Sequence, residues 1–527
     1  MLSNPFILLI LQIVMMGGSA GAASPFKNMD FLRKTYNFKS LYSQTAQKHL
    51  KVAVLDKGFE GYEKEIGHSL PKNTRYFQGP VAAPAEVKVE HGLRMAQILY
   101  DLSSNNGAQD SAIQELRLYN VFGFSNFQAA IAAIIKDKVD LVLYSEVWEF
   151  GNNFDGQGFI DAEVSKAIKA GVIWVNAAGN FGQTTYNSSI QTYQDQWVSL
   201  PDQNHSLSLR CEDNIEKKCP VKIVLSWNDF TNDANGGTSK DLDLAITDDL
   251  LNVIEASSLK QTVHKDLALG ETSYPREIIT AELKPGQYYI RVKKSSDNFV
   301  ASDRLRVTVD GENISMPSND LNESLLNPAD LKGVIAVGAW DSARTGISVK
   351  MNKPDIWTLS SIIFEDGKEF RGSSNSAAIV AAAILLEKSV KPKLSGADIL
   401  AQLSFATSWR TVGLSLNQLG FTPKAGSCFS EVFIPNLPEH VQAMMARGAK
   451  LVETNYGLRL MTPYDPVTLG SNLRRTSYND VILASSHGLR AQSRFMITGA
   501  EDIEVFQRPI DAGPCVLPQN SQRFLGF

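Results

Sequence analysis

The chain has 527 residues, more than one ordinary hydrophobic core accommodates, so two to four domains are expected. Its apolar fraction of 43% and charged fraction of 20% are those of a globular protein and exclude a disordered one. The formal net charge is −5 and the chain has no block of five or more basic residues, which argues against a nucleic-acid partner.

The N-terminus carries an apolar stretch over residues 6–16, which has the length of a signal-peptide core and is too short to span a bilayer comfortably. A buried core helix is the alternative, but the Ala-Gly-Ala at 20–22 fits a cleavage site and favours export. We therefore predict a signal peptide over 1–22 and a short N-terminal segment over 23–44. The mature chain is expected in the periplasm, at the cell surface or outside the cell, with no membrane span.

Strands and helices alternate from residue 50 to residue 180. Buried strands are predicted at "LKVAVLD", "VDLVLYS" and "VIWVNAAGN". Helices are predicted at "HGLRMAQILYDL", at "SNFQAAIAAIIKDK" with Ser125 or Asn126 as its N-cap, and at "DAEVSKAIKAG", which Gly171 stops. This alternation predicts an α/β fold with a parallel sheet and covering helices.

The pattern changes after about residue 182. Short runs between turn signals, such as "KIVLSW", "DLDLAI", "QYYIRVKK" and "RLRVTVDG", predict an antiparallel β-sandwich. The strand "KGVIAVGAW", a helix from about Asn375 and the helix "SGADILAQLSFA" then resume the α/β pattern. We place the α/β domain at 45–185 and 325–414, the inserted sandwich at 186–324 and a C-terminal extension at 415–527.

The chain has four cysteines, which suit an exported protein. Cys211 and Cys219 flank a polar stretch and could close a small loop, with Cys428 and Cys515 bracketing the C-terminal region. Four cysteines allow three pairings, and the sequence does not choose among them. Zinc is the alternative, but no C-x-x-C or paired histidine supports it.

The helix in "FRGSSNSAAIVAAAILLEKS", residues 370–389, is apolar on all sides but begins with a polar stretch. An apolar surface all round predicts a helix buried in the core. Two interpretations of the polar start remain open from this stretch alone. Ser373 or Ser374 is an N-cap, or one of them is a nucleophile supported by the positive end of a helix.

A serine nucleophile needs a base, a carboxylate that orients the base, and hydrogen-bond donors for the oxyanion. Among seven histidines, His91 differs because it opens a helix and is followed by Gly92. Asp56 and Asn180 each end a predicted strand, where open α/β sheets place their sites. Taken singly, Asp56 could instead cap a turn, His91 could be an ordinary residue at a helix start, and Asn180 could be a turn residue.

Four blocks in this order resemble the subtilisin-like serine proteases, the subtilases: "VAVLDKG", "HGLRMAQ", "AAGN" and "GSSNSAA". The resemblance covers about residues 45–185 and 325–410, and four ordered blocks are far more specific than one. It implies a secreted serine endopeptidase in which Asp56 orients, His91 is the base, Asn180 stabilises the oxyanion and Ser374 attacks. It implies a polypeptide substrate and no cofactor for the chemistry.

The same resemblance implies which residues line the substrate cleft: Ser145, Glu146, Val147, Ala177, Ala178 and Gly179. Val147 stands where the family's substrate strand usually has glycine, which is expected to narrow the first specificity pocket. Glu146 is expected to favour basic residues in the substrate.

The chain departs from the family's motifs at Lys57, Leu93, Gln97 and Ala378. Lys57 either competes with His91 for Asp56 or points outward. These departures motivate an alternative function, a weak or inactive subtilase-fold protein that acts as a binding or adhesion module. A lipase or esterase is disfavoured because the candidate triad occurs in the order Asp, His, Ser, whereas those enzymes have the order Ser, Asp, His.

The inserted region resembles the jelly-roll domains appended to bacterial secreted proteases, through "SWNDFTNDANGGTSKDLDLAITD" and "LKPGQYYIRV". Asp241 and Asp243 alternate within it, so both side chains are expected on one side. They could bind a structural calcium ion, although a solvated strand face is the favoured interpretation.

Overall fold

The computed structural model describes residues 24–36, 38–42, 49–82, 89–104, 111–212, 218–264, 266–320, 322–339, 341–342, 344–405 and short strands between 427 and 511. The predicted signal peptide over 1–22 lies outside the described residues. In the predicted C-terminal extension, the backbone is described only in strands.

The first α/β segment contains strands and helices in alternation. The strands are β1 Leu50–Asp56, β2 Thr74–Phe77, β3 Ile113–Asn120, β4 Leu141–Tyr144 and β5 Ile173–Ala177. The helices are α1 Met29–Thr35, α2 Phe38–Tyr42, α3 Tyr62–Glu65, α4 His91–Ser103, α5 Phe124–Asp137 and α6 Phe159–Lys169.

The inserted region is all-β apart from one 3-10 turn, Gln194–Gln196, within the part of it that is described. Its strands are β6 Thr185–Ser189, β7 Leu207–Cys211, β8 Cys219–Trp227, β9 Leu242–Thr247, β10 Val253–Ser257, β11 Lys260–Gln261, β12 Glu271–Thr272, β13 Arg276–Leu283, β14 Gly286–Lys294, β15 Arg304–Gly311 and β16 Ile314–Ser315.

The second α/β segment resumes with β17 Ile335–Ala339, β18 Ile356–Thr358, β19 Ile362–Ile363, β20 Glu369–Phe370, α7 Ser373–Val390 and α8 Gly396–Phe405. The C-terminal strands are β21 Ser427–Phe433, β22 Lys450–Thr454, β23 Gly457–Met461, β24 Ala484–Ser485, β25 Gly488–Leu489 and β26 Phe506–Asp511.

A parallel sheet unites the two α/β segments, with the strand order β18-β17-β5-β4-β1-β3-β2 among the described residues. Helices α1, α2, α4 and α7 pack on one face, and α5 and α6 pack on the other. Since β1 and β4 are neighbours inside this sheet, Asp56 and the residues after Tyr144 emerge side by side at its carboxyl edge. The predicted α/β fold with helices on both faces is confirmed.

The inserted region forms a sandwich of two antiparallel sheets, β10-β9-β14-β7-β16 and β13-β8-β15-β6. Their inner faces share one buried cluster that includes Leu209, Trp227, Ile290 and Val307. An interruption of the α/β fold by a sandwich is therefore confirmed, whereas its jelly-roll kinship stays a prediction.

A disulfide joins Cys211 and Cys219, which lie at the facing ends of β7 and β8. This is one of the three pairings that the sequence left open. The predicted partnership of Cys428 with Cys515 lies outside the residues whose side chains are described. Within the described part of the chain, no helix has the length and apolarity needed to cross a bilayer.

The predicted N-caps are wrong. Helix α5 begins at Phe124 with Gly123 as its N-cap, and Asn126 instead holds a neighbouring loop by accepting from the Val81 N–H and donating to the Val81 carbonyl. Helix α7 begins at Ser373 with Gly372 as its N-cap. Both capping glycines have a positive φ, 82° and 157°, a backbone conformation that a serine or asparagine cap would rarely adopt.

Candidate active site

Asp56 ends the buried strand β1 and is fully buried itself. Its Oδ1 accepts the backbone N–H of Lys57 at 2.8 Å and that of Gly58 at 3.3 Å. Its Oδ2 lies 2.7 Å from His91 Nδ1 and accepts the Ser145 hydroxyl at 2.6 Å. These contacts fix the orientation of the carboxylate and satisfy it although it is away from water.

His91 is the first residue of α4, and the close approach of this helix to β1 depends on Gly92. A Cβ at position 92 would lie 2.5 Å from Asp56 Cβ and 2.7 Å from the Phe59 ring. The Gly92 N–H also donates to the Gly58 carbonyl at 2.8 Å. The glycine therefore allows the imidazole to reach the carboxylate, as its position after a histidine suggested.

Ser374 lies in the first turn of α7 and is buried. Its hydroxyl donates to the Ser145 carbonyl at 2.9 Å, and among the described residues it makes no hydrogen bond to His91. Ser145 therefore links Ser374 to Asp56, because the Ser145 carbonyl accepts the Ser374 hydroxyl while the Ser145 hydroxyl donates to Asp56. The three predicted residues are brought into one hydrogen-bonded cluster through the hydroxyl and the backbone carbonyl of this fourth residue.

The charges in this cluster shift both pKa values. Burial opposes ionisation of Asp56, but the facing His91 and the Ser145 hydroxyl together hold the pKa of Asp56 below its usual range. Burial also opposes protonation of His91, but Asp56 and then Glu146 outweigh it and raise the pKa of His91 to about 9. The imidazole is therefore mostly protonated at neutral pH.

Lys57 does not compete with His91 for Asp56. Its ammonium forms an ion pair with Glu146, which follows β4 in the adjacent position of the sheet edge. Although burial opposes its charge, the pairing with Glu146 raises the pKa of Lys57 to about 12. A lysine–glutamate pair thus lies beside the aspartate–histidine pair.

The other departures are accommodated by packing. Leu93 belongs to α4 and is buried in the core. Gln97 is buried as well, and its amide donates to the Ser69 hydroxyl at 2.7 Å and accepts from Arg94 at 2.9 Å. Ala378 is fully buried within α7.

Asn180 lies beyond the end of β5 and faces the start of α7. Its Oδ1 accepts the Ser373 N–H at 3.0 Å and lies 3.3 Å from the Ser373 hydroxyl. This contact fixes the amide orientation, so its Nδ2 group is available as a donor; no hydrogen bond engages Nδ2 within the described residues. Gly372 makes room for it, since a Cβ there would lie 2.9 Å from Nδ2.

The residues predicted to line the cleft lie on two adjacent strand ends. Val147 packs against Gly179, where a Cβ would lie 3.0 Å from Val147 Cγ2, so the space between these strands is narrow. Ala177 and Ala178 are fully buried, and the Ala178 N–H is already bonded to the Val337 carbonyl at 2.8 Å. The Glu146 carbonyl is likewise taken, by the Asn176 amide at 3.0 Å.

Two sets of residues are considered as metal ligands, one in the triad region and one in the sandwich. Asp56, His91 and Glu146 offer ligand atoms that all lie within 4.8 Å of one another. The ion pair with Lys57 and the Asp56–His91 contact occupy these atoms. In the sandwich, burial and the neighbouring Asp243 raise the pKa of Asp241 to about 6. Calcium at Asp241 and Asp243 stays a prediction.

Sequence reasoning missed the residues that hold the start of α7. The buried Asp341 accepts the Ser360 hydroxyl at 2.7 Å and its N–H at 2.9 Å. The Ser360 hydroxyl oxygen in turn accepts the Gly372 N–H at 3.1 Å, and the Ser360 backbone carbonyl accepts the Asn375 amide at 2.7 Å. An aspartate directly after a predicted strand was the available signal, the same one that identified Asp56.

No protein-family model and no curated protein matches the chain. Solved structures with some similarity include the CspB protease of Clostridium perfringens, with 13% identity and a TM-score of 0.43 over 71% of this chain and 92% of that one. MycP1 from Mycobacterium smegmatis has 15% identity and a TM-score of 0.35, over 78% and 87%. The nisin leader peptidase NisP from Lactococcus lactis has 13% and 0.34, over 76% and 96%. Values this low carry no inference about function.

Proposed function

We propose that this chain is an exported serine endopeptidase that hydrolyses peptide bonds through an acyl-enzyme. Ser374 is the nucleophile, His91 the general base and Asp56 the residue that orients the base. The observation that carries this proposal is the convergence on one carboxylate oxygen, Asp56 Oδ2, of His91 Nδ1 and of Ser145, whose carbonyl holds the Ser374 hydroxyl.

The reaction begins when the Ser374 hydroxyl leaves the Ser145 carbonyl and turns towards the neutral imidazole. With Nδ1–H donating to Asp56, the other ring nitrogen of His91 is free to take the serine proton. The serine oxygen bonds to the substrate carbonyl carbon, and His91 then gives the proton to the departing amine as the C–N bond breaks. A water molecule, deprotonated by His91, hydrolyses the ester and restores the serine.

Charge on the tetrahedral oxygen is stabilised by two donors at the start of α7. The Asn180 Nδ2 group is one, since Ser373 fixes the amide through its oxygen. The Ser374 backbone N–H is the other, because first-turn N–H groups of a helix lack intrahelical partners. The helix dipole favours negative charge at the same place.

The cleft favours particular substrates. Val147 against Gly179 leaves little room at the first specificity pocket, so small side chains are expected there. The carboxylate of Glu146 is held by Lys57, so a basic substrate residue would have to displace this internal lysine.

A non-catalytic binding module is the second candidate, and two observations favour it. The Ser374 hydroxyl donates to a carbonyl and not to His91, and the pKa of His91 is raised to about 9, so little neutral base exists at pH 7.

Export is supported by the disulfide between Cys211 and Cys219, since disulfides persist in oxidising compartments.

A fluorophosphonate probe separates the two functions. We expect labelling of the wild type that increases from pH 7 to pH 9, loss of labelling in Ser374→Ala, and retained labelling in Ser376→Ala. Ser376 is a matched control because its buried hydroxyl also donates to backbone carbonyls, those of Thr358 and Leu359. A folded wild type that stays unlabelled at pH 9 would support the binding module.

A further inference from the structure

Two buried carboxylates, those of Asp161 and Asp330, are not part of the triad. Asp161 is the third residue of α6 and is 1% exposed, and Asp330, shortly before β17, is 4% exposed. Within the described residues, no donor lies at normal hydrogen-bond distance from either Asp161 oxygen or from Asp330 Oδ1, although the Asn152 amide and the Gly156 N–H approach the two carboxylates. Unpartnered carboxylate oxygens at this depth are costly unless a proton or a cation neutralises them.

The two carboxylates share one environment, centred on Asn152. The Asn152 amide donates to Asp330 Oδ2 and also stabilises the ionised form of Asp161. Burial first, and then the facing Asp330, raises the pKa of Asp161 well above its usual range. Asp155 adds a further negative charge nearby.

Basic side chains near these carboxylates are engaged elsewhere. Lys353 donates to the carbonyls of Leu331 and Val334 and to Asp355. Arg306 donates to Asn187 at 2.8 Å and stacks on the Phe154 ring, 4.3 Å from its centroid. Neither forms an ion pair with Asp161 or Asp330 among the described residues, although both lower the pKa of Asp330 from a distance.

We propose that a calcium ion binds between Asp161 and Asp330. Four of the unpartnered buried atoms are oxygens: three belong to the two carboxylates, and the fourth is Oδ1 of Asn327, three residues before Asp330 in the chain. An all-oxygen donor set with two carboxylates suits a hard cation, and calcium tolerates irregular geometry better than magnesium. This site is separate from the predicted one at Asp241 and Asp243, and the proposal does not depend on the proteolytic function.

The ion would tie together three segments next to the cleft. Asn327 already holds the chain that follows Val147, because its carbonyl accepts the Trp148 N–H at 2.8 Å and its amide donates to the Phe150 carbonyl at 3.1 Å. Asn152 comes from the loop after that strand, and Asp161 from α6. Calcium is therefore expected to stabilise the chain that follows Val147 as well as the fold.

The test uses the full chain, first stripped with EDTA and then dialysed against calcium or magnesium. We expect the wild type to retain one calcium ion per chain by elemental analysis, and its Tm to rise more with calcium than with magnesium. Asp161→Asn should lose this Tm rise and weaken calcium binding about tenfold or more, as expected when one charged ligand is removed. Asp330→Asn is the second variant, and Asp243→Asn is the matched control in the sandwich.

The EDTA condition makes the outcome specific. Without calcium, Asp161→Asn should be at least as stable as the wild type, because it removes a buried charge that has no partner. The proposal is overturned if the wild type retains no calcium, if both variants keep the full Tm rise, or if Asp243→Asn alone abolishes it. It is also overturned if Asp161→Asn lowers the Tm equally with calcium and with EDTA.

Discussion

The pH dependence of proteolysis tests the charge arrangement around His91 most directly. The pKa of His91 is raised to about 9 by Asp56 and Glu146. A general base must be neutral, and with a pKa of about 9 only about 1% of the imidazole is neutral at pH 7. We therefore expect kcat/KM to rise about tenfold per pH unit up to about pH 9.

Replacing Glu146 with glutamine should move the rising part of this pH profile, its acid limb, to lower pH. The ligand atoms of Glu146 and His91 lie within 4.8 Å of one another. At an effective dielectric constant of about 20, a unit charge at this distance is worth about 3 kcal/mol, or about two pH units. The His91 ring is 33% exposed, and solvent screening reduces the expected shift to about one unit. Activity at pH 7 should then rise about tenfold.

The assay is kcat/KM for a peptide substrate between pH 5 and pH 10, with Glu149→Gln as the matched control. Glu149 lies three residues further along the chain and pairs with Lys222 at 2.7 Å, so its removal should leave the acid limb unchanged. An acid limb near 6.5 in the wild type, unmoved in Glu146→Gln, would refute the reasoning.

Protein stability provides an independent measure of the same pair. Because the pKa of His91 is raised from 6.5 to about 9, its contribution is complete below pH 6.5 and is lost as the pH rises through about 9. The pKa of Asp56 is lowered from 3.8, so its contribution is present above that value and is lost on acidification. The Tm should therefore fall between pH 6.5 and pH 9, and His91→Gln should flatten this part of the profile.

Three further outcomes are expected. Gly92→Ala should lose about 1–3 kcal/mol of unfolding free energy and most of the probe labelling, because its Cβ would meet Asp56 at 2.5 Å; calorimetry and labelling measure the two. Asn180→Ala should reduce kcat about 10²–10³-fold with little change in KM, the usual result of removing one oxyanion donor, and steady-state kinetics would detect it. Cys211→Ser should lower stability by about 2–3 kcal/mol in chemical denaturation, since the bond to Cys219 closes a loop with a sequence separation of only 8.

The positions of Asp56, His91 and Asn180 could be predicted because they follow from local patterns. A carboxylate or an amide directly after a buried parallel strand emerges at the carboxyl edge of the sheet whatever the strand order. A histidine followed by glycine at a helix start predicts close packing, and the 2.5 Å clearance at Gly92 has this cause. The helix N-caps were mispredicted because glycines with a positive φ, Gly123 and Gly372, occupy the N-cap positions instead of residues with capping side chains.

The role of Ser145 and the Lys57–Glu146 pair could not be predicted, because both depend on which strands are neighbours. Strand β4 lies beside β1 only through the crossover topology of the sheet, and this adjacency brings residues about 90 positions apart into contact. A sequence pattern indicates that Lys57 follows a strand, but not which acid faces it. For this reason the sequence left two orientations of Lys57 open.

The N-terminal segment shows the same limit over a longer distance. Its apolar residues Leu32, Tyr36 and Phe38 join the core formed by α4 and α7. The Tyr36 hydroxyl accepts the Leu359 N–H at 2.7 Å, and Leu359 immediately precedes Ser360, which holds the start of α7 through Gly372. The short N-terminal segment, for which the sequence indicated no role, therefore supports the turn that carries the candidate nucleophile. No periodicity could reveal this, because the two partners lie 323 residues apart.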